Sequence, residues 1–183
     1  MRKSTKAKKP ARAKRSVKAR ESTPVRKPVP GVPRGYHTIT PHLTVRGADR
    51  AIEFYQRAFG ARELMRMPSP DGRIMHAELK IGDSVVFLND EFPDTGALSP
   101  PSLSGTATAL HLYVADVDAV FKRAVDAGAR VRMPLADMFW GDRYGKLADP
   151  FGHEWSLATH KEDLRPAEIR KRAEASFAQT GQP

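Results

Sequence analysis

His42-Leu43-Thr44-Val45, leading into a stretch that ends Ala58-Phe59-Gly60-Ala61-Arg62, is matched further along the chain by His111-Leu112-Tyr113-Val114 and the ending Asp126-Ala127-Gly128-Ala129-Arg130. The offset is 69 residues at the histidines and 68 at the glycines, so a single indel separates the copies. A period of this length is a supersecondary unit repeated, and two similar units imply two similar folds. Each copy continues through a turn into extended segments, with Gly82 to Leu88 paralleling Gly152 to Ala158. The reading is therefore α+β: two β-α-β-β-β repeats, about 36–95 and 107–160, forming a curved mixed sheet around a cleft.

The helix of the first copy is expected to start at an Asp49 cap and to place Ile52, Tyr55, Ala58 and Phe59 on one face before Gly60 stops it. The second has Asp116 or Asp118 as cap, Val117, Val120, Phe121, Ala124 and Val125 as its stripe, then Gly128. Phe54 and Tyr55 lie on a helix and read as core. Side chains alternate across a strand. Ile39, Leu43 and Val45 therefore oppose Thr40, His42 and Thr44. In the next strand Met75, Ala77, Leu79 and Ile81 oppose Ile74, His76, Glu78 and Lys80. In the second copy Leu110, Leu112 and Val114 oppose His111 and Tyr113, and Trp155 and Leu157 oppose Glu154 and Ser156. The apolar sets pack under the helices. The polar sets share the opposite face, where chemistry would reside.

The flanks differ in composition. The chain of 183 residues carries a net charge of +10, yet residues 1–35 alone hold 13 Lys/Arg against Glu21. Removing that +12 leaves −2 for the remainder, so the basic character belongs to a tail. With five prolines and no aromatic residue, the tail cannot bury enough apolar surface to offset its ordering entropy and is expected to be disordered. It could contact nucleic acid non-specifically through phosphates, or be a solvated extension only. No stretch approaches the roughly 18 to 20 apolar residues of a membrane span, no secretory apolar core is present, and no cysteine occurs. Together these suggest a cytoplasmic protein and exclude disulfides and thiolate metal sites. Asn89 to Thr108 reads as a long functional or connecting loop. The domain proper is placed at 36–163, with a C-terminal helix and tail over 164–183 that begins at Pro166.

Several motifs in order resemble the vicinal oxygen chelate superfamily of glyoxalases, bleomycin-resistance proteins and dioxygenases, and within it the PhnB-like group. They are Thr40-Pro41-His42-Leu43-Thr44-Val45, Ala51-Ile52-Glu53-Phe54-Tyr55, Met75-His76-Ala77-Glu78, Trp140-Gly141-Asp142-Arg143-Tyr144-Gly145 and Asp149-Pro150-Phe151-Gly152-His153. The resemblance covers residues 36 to 165 and speaks for the fold more than for an activity, since such folds host many chemistries.

The resemblance implies one metal ligand on each of four strands, which fall here at Thr40, Glu78, His111 and Ser156. Ser156 stands where a Glu is usual, which argues against glyoxalase I activity. Same-face neighbours supply an alternative set: His42, His76, Glu78 and His111, with Glu154 beside Ser156. Three imidazoles and a carboxylate suit a divalent metal, Zn, Ni, Mn or Fe. The same groups equally suit a hydrogen-bonded pocket without metal. In a metal-dependent lyase, isomerase or dioxygenase, Glu78 would be the catalytic candidate, as ligand or general base. Tyr113, Phe139, Trp140 and Arg143 are the candidates for a ligand pocket, aromatic walls with a guanidinium for an anion; alternatively Trp140 packs on the sheet and Arg143 pairs with an Asp. The expected partners are a small-molecule ligand and a second copy of the chain. A non-catalytic drug- or metabolite-sequestering protein is the main alternative function, and a binding protein tethered to nucleic acid by its tail is another.

Overall fold

The structure is a computed structural model that describes residues 30–180. The basic stretch up to residue 29, with the nucleic-acid contact expected of it, lies outside the described residues.

Each repeat folds as a β-α-β-β-β unit. The first comprises β1 (His42–Val45), α1 (Ala48–Phe59), β2 (Arg62–Pro68), β3 (Ile74–Ile81) and β4 (Ser84–Asp90). The second comprises β5 (Ala109–Tyr113), α2 (Val117–Asp126), β6 (Arg130–Asp137), β7 (Asp142–Ala148) and β8 (Glu154–His160), and α3 (Pro166–Thr180) follows. The mixed sheet is built as two open four-stranded halves, ordered β1-β4-β3-β2 and β5-β8-β7-β6. In each half the first strand runs parallel to the last and the remaining pairs are antiparallel.

The two helices face each other, and a single apolar cluster takes residues from both repeats. Ile52, Phe54, Tyr55 and Ala58 of α1 and Val117 and Ala124 of α2 are buried within it. Burying each large apolar side chain contributes about 1.5–3 kcal/mol, so this seam is a major source of stability. The repeats are also joined by one carboxylate. Asp149, 1% exposed, accepts from Tyr55 Oη (2.7 Å) and Trp155 Nε1 (2.9 Å) on one oxygen, and from the Phe151 and His153 amides (2.9 Å each) on the other. Phe59 and Trp155 pack across the same seam with ring centroids 4.6 Å apart.

Several local details depart from the sequence expectation. Asp49 lies in the first turn of α1 but does not cap it. The cap position is Gly47, and the capping carboxylate comes from β4, where Asp90 Oδ1 accepts from the Gly47 and Ala48 amides at 2.9 and 2.8 Å. For α2, Asp116 is the cap, its side chain accepting from the Ala119 amide. Ile39 precedes β1 and is 82% exposed instead of buried. Ile74 and Met75 exchange roles, Ile74 being buried and Met75 exposed. The register of β2 against β3 slips there, Met67 facing His76 but Pro68 facing Ile74, and such a bulge turns the inserted residue to the other face. The long loop after β4 is tied down as well: Phe92 and Ala97 form a bridge, and Glu91 accepts from Arg46 and Ser99. The described residues from Val32 onward form one compact unit, and no described helix is long and apolar enough to cross a membrane.

Candidate functional site

The face of each half-sheet turned away from the helices carries the polar alternation. In the first repeat, His42 opposes Phe87 across the β1–β4 pair, Glu78 opposes Phe87 across β3–β4, and Met65 and Met67 oppose Glu78 and His76 from β2. These side chains meet. The Phe87 ring lies edge-on to His76 (4.9 Å between centroids) and His42 (5.8 Å), and Tyr36, upstream of β1, joins it at 6.1 Å. Glu78 is engaged on both oxygens, with the Tyr36 hydroxyl on one and His76 Nε2, at 3.3 Å, on the other. Burial, and secondarily the neighbouring His76, hold the His42 imidazole below its ordinary pKa, while the Tyr36 hydroxyl is raised by its bond to Glu78.

The second repeat builds an aromatic face at the same place. His111 stacks near Tyr113 (4.5 Å) and Tyr144 (5.9 Å), and Trp140 meets Tyr144 at 5.5 Å. Its organising group is Asp142, 4% exposed at the start of β7. One oxygen accepts from Tyr113 Oη and Trp140 Nε1, both at 3.1 Å, and the other from His160 Nδ1 at 2.7 Å. The His160 imidazole is raised in pKa first by Asp142 and then by Asp163, which its Nε2 reaches at 3.0 Å. Tyr144 also shares a hydrogen bond with Ser156 at 2.9 Å. Phe139 stands edge-on to Trp140 and touches Phe177 of α3.

The residues singled out from the sequence therefore fall into two groups. His42, His76 and Glu78 come together on the first face; His111, Tyr113, Phe139 and Trp140 come together on the second. Among the described residues no hydrogen bond or ring contact joins His111 to the first group. Arg143 is not available to an anion, since its guanidinium forks onto both Asp118 oxygens at 2.6 and 2.7 Å and reaches Asp137 at 3.4 Å. Glu154 accepts from Arg132 Nε at 3.1 Å. Together with His42 it borders a cleft of about 410 Å³ between the repeats, roofed by the 98–108 segment. His153 is half-buried and donates from Nε2 to the Thr44 carbonyl. Sequence reasoning missed Asp142, Tyr144, Phe87 and Tyr36. The alternation 142, 144, 146 along β7 could have revealed Asp142 and Tyr144; Tyr36 lies outside any strand and left no such signal.

The strand register also bears on the divalent ion that the resemblance implies. His111 is opposed by Ser156, as His42 is by Phe87. The repeat mate of Ser156 is therefore Phe87, one residue on from Val86, which the glycine alignment had suggested. At these two equivalent positions stand a hydroxyl and a hydrocarbon ring, and the ring packs against both His42 and His76, whose own centroids lie 6.2 Å apart. Among the described residues no three His, Asp or Glu side chains converge on a common point suited to a metal ion. Within a single chain, the donor set does not fit a divalent ion.

The likenesses to known proteins agree with this architecture. A protein of Mycobacterium tuberculosis strain H37Rv, itself uncharacterized, is 49% identical over 135 residues, spanning 72% of this chain and 79% of that one. An uncharacterized protein of Mycobacterium bovis shares the same identity over 89% of its length. Among solved structures, TioX from Micromonospora sp. ML1 superposes with a TM-score of 0.54 at 35% identity, covering 67% of this chain and 97% of TioX. Protein PA1353 from Pseudomonas aeruginosa superposes with a TM-score of 0.56 at 26% identity, covering 68% and 98%. Residues 35–157 match the family model described as Glyoxalase/Bleomycin resistance protein/Dioxygenase superfamily, and with the paired β-α-β-β-β fold this shows that the chain belongs to that superfamily.

Proposed function

We propose that this chain is a PhnB-like binding protein of the superfamily, cytoplasmic, that holds a flat, unsaturated small molecule against the aromatic face of the second repeat. The observation that carries this reading is the set of His111, Tyr113, Trp140 and Tyr144 rings, fixed in place by the buried Asp142 carboxylate. A stacking surface discriminates by shape and needs its rings held rigidly, and Asp142 supplies that rigidity by accepting from two of them. Each sheet face is open, so the working unit is a homodimer in which a second copy closes the face. Ligand retention without turnover is the expected behaviour.

Titration with acriflavine, a planar aromatic probe, tests this. Trp140 fluorescence is expected to be quenched, with the response lost in Trp140→Phe and unchanged by EDTA. Losing one ring contact costs about 0.5–1.5 kcal/mol, so Trp140→Ala should weaken binding by about two- to tenfold. Stoichiometric Ni, Zn, Mn or Fe in the purified protein, together with loss of binding on chelation and in His111→Ala and Glu78→Ala, would overturn this reading in favour of a metal-dependent enzyme.

A further inference from the structure

Two clefts that share no residue with the aromatic face are rich in arginine. The larger, about 800 Å³, is lined by Arg46, Arg66 and Arg73 among others. Its positive charge is already neutralised, because Arg46 pairs with Glu91, Arg66 with Glu63 and Arg73 with Asp71. The second, about 490 Å³, runs along the outer flank of α1. Four charged side chains line it: Arg46, Arg50, Glu53 and Arg57. Of these, Arg50 and Arg57 make no hydrogen bond or ion pair among the described residues. Its floor is apolar, formed by Phe151 with Pro101 and Pro150 at the rims.

The arrangement at one end of this cleft is specific. Gly47 adopts a left-handed conformation (φ +86°), and the Arg50 guanidinium folds back over it. A Cβ at residue 47 would lie 2.7 Å from Arg50 Nη2. Arg46, which also lines the cleft, is committed to Glu91 through Nε and to Ser102 through Nη2. Arg57 lies seven residues on from Arg50, about 10 Å along the helix axis at 1.5 Å per residue. Two uncommitted guanidinium groups thus flank an apolar floor with one carboxylate, Glu53, between them. Planar guanidinium forks match phosphate and carboxylate oxygens and also stack on flat groups. We propose that this cleft is a second ligand site, taking a small organic anion: a phosphate monoester held by Arg50, whose flat apolar body lies on the Phe151 floor toward Arg57. It shares no lining residue with the aromatic face.

Calorimetric titration of the full chain with 1-naphthyl phosphate tests the site. With the aromatic face blocked by saturating acriflavine, the expected result is binding that weakens about tenfold in Arg50→Ala and in Arg57→Ala and less in Arg50→Lys. Both arginines are exposed on a helix and accept alanine without loss of fold; far-UV circular dichroism verifies this. Inorganic phosphate and 1-naphthol should each bind at least tenfold more weakly than the ester, since each lacks one half of the recognition. Unchanged affinity in both arginine variants would overturn the proposal by assigning the anion to the basic N-terminal stretch or another surface. Loss of all binding under saturating acriflavine would overturn it equally, placing the probe on the aromatic face; should acriflavine not bind, the arginine variants still read the cleft.

Discussion

Replacing Asp149 by alanine should be the most damaging single change away from the aliphatic core. The carboxylate is 1% exposed and accepts four hydrogen bonds, two from backbone amides of its own turn and two from the side chains of Tyr55 and Trp155. Tyr55 and Trp155 are themselves buried, so their donors cannot turn to water. Each buried donor left unsatisfied costs about 1–3 kcal/mol. Taking the Tyr55, Trp155 and Phe151 donors as fully stranded and His153, half-buried, as rehydrated, the loss is about 3–9 kcal/mol, a large part of a typical domain's 5–15 kcal/mol.

Two milder variants separate this account from a general intolerance of the turn. Tyr55→Phe removes one donor and leaves the carboxylate with three, for a cost of about 1.5–3 kcal/mol. Asp149→Asn cannot satisfy both pairs of donors, because its amide nitrogen must face either two backbone amides or Trp155 Nε1, so it should fall between the other two. Urea denaturation followed by circular dichroism measures all three. An alanine variant that loses less than about 1 kcal/mol, or a Tyr55→Phe variant as damaged as Asp149→Ala, would refute the claim that this carboxylate clamps the first repeat's helix to the second repeat.

Two further predictions follow from the second repeat. A Cβ on Gly145 would lie 2.8 Å from Phe121 Cε2 and 3.1 Å from the Met133 carbonyl, so Gly145→Ala should overpack the α2–sheet contact and cost about 1–3 kcal/mol in the same denaturation assay. His160 donates to both Asp142 and Asp163, which raises its pKa above the unfolded value of about 6.5. Its contribution to stability is thus full below that value and fades as pH rises through the folded-state pKa. Histidine NMR titration should show His160 titrating above 6.5, with Asp163→Asn lowering it; titration at or below that value would remove the bridge.

What the sequence determined is whatever local spacing encodes. The repeat at His42 and His111, the buried stripes of α1 and α2 save for Val125, which the structure leaves exposed, and the facing of His76 and Glu78 follow from periods of two and about 3.6 residues, which are properties of a strand or helix taken alone. The same rule misplaced Met75, because a bulge is an agreement between two strands. It missed the cap of α1 because Asp90 is 42 residues away. Arg143 was legible as a cation, but its commitment to Asp118 required α2 to pack over β7. Asp149 shows the limit most plainly: its Asp-Pro-Phe-Gly turn could be read from composition, whereas its bond to Tyr55 spans 94 residues. Only tertiary packing brings those atoms together, and only packing separates His111 from the first-repeat donors, sets Phe87 against both imidazoles and leaves Arg50 and Arg57 without partners among the described residues. Periodicity fixes which face a side chain occupies; the company it keeps there is decided by register and docking between segments that are distant in the chain.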